Sequence, residues 1–282
     1  MQTSLYTMRH KLITIIISIY LGGSIPAFAQ VAGCEVKHVP FLSGERVTYR
    51  AVYNWGFIWV NAGDVVFTVS DTIYNSQSAW HLKSEGWTLK QYDWFYKVRD
   101  RFESIVYKEG YKPVWFERDT HEGSYESYNH YQFRYPTEEI EIISRTSDRP
   151  YKQEVLPLKP CTFDILSAIY YCRSIDFSKY SIGEKIPLTM AVDNEIFELF
   201  IRYLGKEKLT TREGNSFNTI RFSVMLVEGT IFKGGEDLFV WVTDDMNKIP
   251  ILVEAKILVG SVKAVLSGME GLKYPVASRI YP

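Results

Sequence analysis

A chain of 282 residues with 32 Lys+Arg against 33 Asp+Glu has a formal net charge of −1. It therefore has no basic excess with which to neutralise a phosphate backbone, and nucleic acid is excluded as a natural partner. At 46% hydrophobic and 23% charged it is globular rather than disordered, and its 15% aromatic content is the outlier, pointing first to half-buried β-sheet and second to a stacking surface for a ligand.

The first element in chain order is a leader. Arg9, His10 and Lys11 make a positive segment, Leu12 to Leu21 an apolar one, and Gly22, Gly23 and Pro26 break the helix ahead of Ala27-Phe28-Ala29, a small-residue cleavage site. Ten apolar residues are too few to span a bilayer, and no later run approaches about 18, so no transmembrane segment is expected. The reading is a signal peptide over 1–29 and a mature chain over 30–282, exported to the periplasm or secreted. Removing Arg9 and Lys11 with the leader takes the net charge from −1 to −3. A second signal overlaps the first: Val31-Ala32-Gly33-Cys34 reads as a lipobox, with Cys34 as the lipidated residue and the chain tethered to the outer membrane. The lipobox lies about ten residues beyond the apolar run, with Pro26 between, and that spacing favours release over lipidation.

Short alternating or apolar runs separated by turn residues then recur, which predicts an all-β, mainly antiparallel fold of curved sheets, a β-roll or half-barrel. The strands read as 46–53, 57–69, 79–87, 97–106, 114–120, 125–135 and 139–145. A second set reads as 185–192, 196–204, 217–227, 238–243, 249–258 and 262–268. Turns fall at Tyr74-Asn75-Ser76, Lys108-Glu109-Gly110 and His121-Glu122-Gly123-Ser124. Between the sets, after LPLKP, one helix is expected over 162–173. Thr162 would cap it, Asp164 would sit in its first turn, and Ile165, Ala168, Ile169 and Cys172 would form its apolar stripe.

KPVWFERDTHEGS and IPILVEAKILVGS match at Pro113/Pro250, Glu117/Glu254, Gly123/Gly260 and Ser124/Ser261, all at an offset of 137. Gly44-Glu45-Arg46-Val47 resembles Gly183-Glu184-Lys185-Ile186 at 139. Two matches at nearly one offset suggest a duplicated β-meander, with similar halves over about 41–155 and 175–282 joined by the helix-containing connection. Chance recurrence of Pro, Gly and apolar strands is the competing reading.

FVWVTDDMNKIPILVEAKILVGSVKAVLSG, with GERVTYRAVYNWGFIWVNAGD and CTFDILSAIYYCRSIDF, resembles an uncharacterised family of exported bacterial proteins known only as domain of unknown function 3108. The likeness covers most of 41–272. It implies an exported, mainly antiparallel β protein of Gram-negative, especially Bacteroidetes, envelopes, with curved sheets like those of lipoprotein carriers. No catalytic residue comes with the family.

The mature cysteines are Cys34, Cys161 and Cys172. A helix separates the last two by roughly 16 Å, against about 6 Å between the Cα atoms of a disulfide. In an oxidising compartment the natural bridge is Cys34–Cys161, leaving Cys172 as a small buried hydrophobe.

Chemistry is sparse. His121, Glu122 and His130 are the tempting metal set, but a hairpin turning at Gly123-Ser124 sets His121 opposite Glu126 and His130 opposite Glu117, roughly 13 Å apart along the ribbon, so no metal is expected. No nucleophile elbow, H-E-x-x-H or Walker loop is present, Asp244-Asp245 reads as a hairpin loop, and no catalytic residue or cofactor is expected. The best binding candidate is WTLKQYDWFY, where Trp87, Tyr92, Trp94 and Tyr96 crowd together without strand alternation; Trp55 and Trp59 flank the first hairpin in the same way. Burial in the end of the core is the favoured reading of these rings, and stacking on a sugar or lining a groove for acyl chains is the second. The expectation is a non-enzymatic envelope binding or accessory protein for a lipid-like or glycan ligand. The alternatives are a polysaccharide hydrolase with fold-assembled carboxylates and a structural subunit with an envelope protein partner.

Overall fold

Alternation of side chains across the pleat dictates what the chain does in space. The computed structural model describes residues 36–55, 58–226, 235–256 and 260–281. The leader and the lipobox of the sequence reading lie outside these residues. Eight strands come first: β1 (Arg46–Trp55), β2 (Ile58–Tyr74), β3 (Gln77–Thr88), β4 (Val98–Tyr107), β5 (Lys112–Glu122), β6 (Tyr125–Arg134), β7 (Glu139–Thr146) and β8 (Arg149–Pro157). After β9 (Thr162–Phe163) and helix α1 (Ile165–Ser174) follow β10 (Lys185–Val192), β11 (Glu195–Thr210), β12 (Ser216–Leu226), β13 (Gly235–Thr243), β14 (Pro250–Lys256), β15 (Ser261–Glu270) and β16 (Arg279–Ile280). All belong to one open, curved sheet in the order β8-β7-β6-β5-β4-β3-β2-β1-β15-β14-β13-β12-β11-β10-β9, with β16 paired to β12. Every pairing is antiparallel except β9 with β10. The fold is all-β.

β8 is a strand that sequence periodicity does not reveal. It is the sheet edge and almost wholly exposed, so it has no apolar period, and an edge tolerates Pro150. β11 runs past its expected end because Gly205, at φ 98, makes a bulge beyond which the polar Lys206, Glu207 and Lys208 continue the pairing.

The inner face collects alternate residues. Tyr131 and Phe133 on β6 and Ile140 and Ile142 on β7 are buried, as are Val47 and Tyr49 on β1 and Ile186 and Leu188 on β10. Helix α1 packs here against β3, β4, β9 and β10. Phe41 meets Tyr170 edge-on at 4.9 Å and Trp80 at 5.4 Å, and the Tyr111 hydroxyl donates to Ser167 O at 2.9 Å. The β10–β11 tip crosses the same face. Asn194 donates to Ser144 Oγ on β7 and to Glu154 Oε2 on β8, while Arg118 of β5 donates to Asp193. Together the helix and the tip fill the concavity.

The expected stripe of α1 holds only in part: Ala168 is buried and Ile165 and Cys172 are half-buried, but the helix is turned from the expected face. Leu166, Ser167, Tyr170 and Arg173 face inward, and Ile169 is exposed. The inward polar groups are paired: Arg173 grips Glu45 with Nη1–Oε1 at 2.6 Å and Nη2–Oε2 at 2.9 Å, and donates to Asn247 O on the β13–β14 loop. The cap is Asp164 rather than Thr162; its Oδ1 accepts from Leu166 N and Ser167 N. Asp164 is fully buried, and burial pushes its carboxyl up to about 6.

The two meanders share local features. Gly44 N donates to Val69 O, Glu45 N to Leu42 O and Val69 N to Glu45 O; Gly183 N donates to Tyr203 O, Glu184 N to Ser181 O and Tyr203 N to Glu184 O. Both glycines adopt positive φ, 93° and 89°, which a Cβ disfavours. Register also slips beside each matched proline: Ile105 faces Trp115 and Val106 faces Pro113, as Trp241 faces Leu252 and Val242 faces Pro250.

Candidate functional site on the outer face

The antiparallel register of β3, β4 and β5 lays their outward side chains in rows. Trp87, Arg99 and His121 make one row, and Glu85, Arg101 and Asp119 the next. They border a shallow groove of about 380 Å³; Asp100, between Arg99 and Arg101 on β4, turns its side chain to the opposite face, toward Thr120 and Arg118. Trp87 is 36% exposed and supplies the groove's aromatic surface. Gly63 makes its position possible: a Cβ there would lie 2.3 Å from the Trp87 carbonyl oxygen.

Charges in the groove are internally matched. Arg101 lies 3.0 Å from Glu117, 3.5 Å from Glu103 and 3.7 Å from Asp119. His121 bridges Asp119 and Glu126, each at 3.3 Å. Arg99 clasps Asp93 at 2.6 Å and holds that carboxyl below its usual range. Such exposed pairs add little stability, but a network of them fixes donor and acceptor positions. On the opposite face of the same strand, burial first, and the Glu122 charge second, push the Asp100 carboxyl up to about 6. One aromatic face flanked by guanidinium and imidazole donors and carboxylate acceptors is matched to a ligand with an apolar C–H face and hydroxyls around it.

Beyond Trp87 the chain leaves the sheet. Lys90–Tyr92 form a single 3₁₀ turn, and the Tyr92 carbonyl accepts from Phe95 N and Tyr96 N, both at 2.9 Å. Trp94 is 85% exposed, Phe95 78% and Tyr96 47%, so burial in the end of the core does not describe these rings. Trp59 joins a different group, with Arg212 at 4.6 Å and Lys263 at 4.8 Å over its ring. The Trp55 side chain lies outside the described residues.

A larger cleft of about 650 Å³ opens at the opposite strand ends, beside Tyr74, Tyr107, Lys112 and Tyr135. Several of its polar groups are engaged: Tyr74 donates to Gln132 Oε1, Gln132 Nε2 to Val114 O and Tyr135 to Pro113 O. The Trp87 groove differs in presenting an exposed indole beside its paired charges.

The hairpin register of the histidines is as expected, with His121 facing Glu126 and His130 facing Glu117. Among the described residues no group of three or more His, Cys, Asp or Glu is placed to hold a metal ion. Asp245 is occupied structurally, accepting from Thr243, Asn247 N and Ser278 in the β13–β14 loop. Cys172 is a free cysteine whose thiol burial pushes up to about 12. The expected bridge falls on Cys34, which lies outside the described residues. Sequence reasoning missed Arg99, Arg101 and Asp119; the i, i+2 spacing of Arg99 and Arg101 was a sign that these two share a face, and only the strand register places that face with Trp87.

Comparison with known proteins agrees with this architecture. The chain belongs to the protein family of unknown function DUF3108, which it matches over residues 48–267. No curated protein matches it. Among solved structures it is similar to a β-barrel-like protein of domain of unknown function DUF1849 from Brucella abortus, at 7% identity and a TM-score of 0.52, covering 84% of this chain and 100% of that one. A Bacteroides fragilis NCTC 9343 protein with a YmcC-like fold is a more distant likeness, at 8% identity and a TM-score of 0.28, covering 83% of this chain and 98% of that one. Among the described residues no helix is long and apolar enough to cross a membrane.

Proposed function

We propose that this chain is an exported cell-envelope protein, released after Ala29 into the periplasm or beyond, that binds a glycan on the outer face of its sheet without transforming it. The observation that carries the reading is the Trp87 groove, where an exposed indole lies among Arg99, Arg101, Asp119 and His121. A glycan fits better than a lipid because α1, Phe41 and the β10–β11 tip occupy the concave face where an acyl chain would lie. The matched charges of the groove favour a neutral sugar over a strongly acidic one. On the same view the two halves are an internal duplication, and Cys34 is bridged to Cys161.

Titration calorimetry of the mature protein with oligosaccharides released from envelope polysaccharides tests this. Binding by at least one neutral fragment, weakened about tenfold or more by Trp87→Ala, is expected from the loss of ring burial. A folded protein that binds none of the fragments, or whose binding is indifferent to Trp87, would sink the proposal.

A further inference from the structure

We propose that the β3–β4 loop, Leu89 to Lys97, is a rigid foot that docks the protein on the interfacial region of an anionic bilayer. The proposal does not rest on the glycan groove: its rings are different ones, and Arg99, which holds Asp93, is the one side chain the two share. Single exposed apolar residues need no explanation. Here Trp94, Phe95 and Tyr96 are consecutive, and all three are exposed.

The loop is built to hold them outward. Leu89 N donates to Ala62 O and Tyr92 N to Leu89 O, while Gly123 N donates to Lys97 O, so the loop is tied to β2 and to the β5–β6 turn. Inside it Asp93 is the keystone. It accepts from Thr88 Oγ1 at 2.7 Å and from Arg99 at 2.6 and 3.2 Å, and Val98 N closes the ring by donating to Thr88 Oγ1 at 3.1 Å. The Asp93 carboxylate of the loop is thus turned inward and satisfied while Trp94 and Phe95 project from the protein; Tyr96 lies with one edge of its ring against Gly123. Ordering these rings in advance removes much of the entropic cost of docking.

Aromatic rings with a polar edge favour the headgroup region, where the ring is desolvated and its N–H or O–H stays hydrated. Trp94 and Tyr96 have that character, and Phe95 between them supplies purely apolar surface. Charge favours an anionic surface. Asp93 is neutralised by Arg99, whereas the exposed Lys90 and Lys97 flank the rings and form no ion pair among the described residues. The loop, counted with Arg99, thus carries a charge of +2 on a mature protein whose formal net charge is −3. The acidic groups nearest Tyr96 are Glu122 and Asp100, which belong to β5 and β4 rather than to the loop.

The test is flotation of the unacylated mature protein with vesicles of phosphatidylethanolamine and phosphatidylglycerol, followed by quenching of indole fluorescence with bromine-labelled lipid. Native protein is expected to float and to be quenched. Trp94→Ala/Phe95→Ala should lower the partition coefficient about a hundredfold from the lost apolar burial, and Lys90→Gln/Lys97→Gln about tenfold or more. Both pairs are surface changes, so unaltered melting and retained oligosaccharide binding at Trp87 separate this proposal from the glycan reading. Failure of the native protein to float would overturn the foot. So would flotation unaffected by Trp94→Ala/Phe95→Ala, or self-association abolished by that variant in a protein that ignores vesicles.

Discussion

Asp164→Asn isolates the electrostatics of the buried helix cap. Asp164 Oδ1 accepts two backbone N–H groups, and Oδ2 accepts from the Ser104 and Ser167 hydroxyls at 2.8 Å each. Despite four donors, complete burial raises its carboxyl from 3.8 to about 6. A raised folded-state pKa means that protonation favours the folded protein. The stabilising contribution is full below about 4 and is lost as pH rises through about 6. A shift of roughly two units corresponds to about 3 kcal/mol. Asparagine keeps the Oδ1 acceptor and never ionises, but its amide obliges two hydroxyls to accept instead of donate, at about 1 kcal/mol. In urea unfolding followed by tryptophan fluorescence, the variant should be about 1 kcal/mol less stable than the native protein at pH 4 and about 2 kcal/mol more stable at pH 8. Asp100, whose raised carboxyl has the same sign, is present in both proteins and cancels in the comparison. A stability difference that does not change with pH, or that moves the other way, refutes the reasoning.

Other expectations are simpler. Arg173→Met leaves Glu45 buried without its partner and should cost about 3–5 kcal/mol in denaturant unfolding, most of it recovered when Glu45→Leu is added. Asn194→Ala removes donors to Ser144 and Glu154, and should cost about 2 kcal/mol while making the β10–β11 tip susceptible to limited proteolysis. Intact mass of the native protein should begin at Gln30, with one thiol labelled under denaturing conditions before reduction and three after. An acylated Cys34 would contradict both release and the bridge.

Strands with one buried face were legible because alternation is a direct consequence of the pleat, and the turns at Asn75-Ser76 and Gly123 carry residues suited to positive φ. β8 was not, since an exposed edge imposes no period on its sequence. The face of α1 was misread because Arg173 and Ser167 look like solvent residues until Glu45 and Asp164, one of them 128 positions away from its partner, are brought against them by the fold. Half of the site was similarly visible. Trp87, Trp94 and Tyr96 stood out by type, but whether a ring is buried or projects depends on the Asp93–Arg99–Thr88 bracket, a set of tertiary contacts without a sequence signature. Arg101 and Asp119 joined Trp87 only through strand register.

The central claim is that a sugar stacks on Trp87, and indole and guanidinium NMR during oligosaccharide titration tests it most directly. The account predicts that the Trp87 indole N–H and the Arg99 and Arg101 side-chain signals move together and saturably, while those of Trp241, on the other half of the sheet, stay fixed. Saturable binding that shifts other tryptophans and leaves Trp87 unmoved would contradict it.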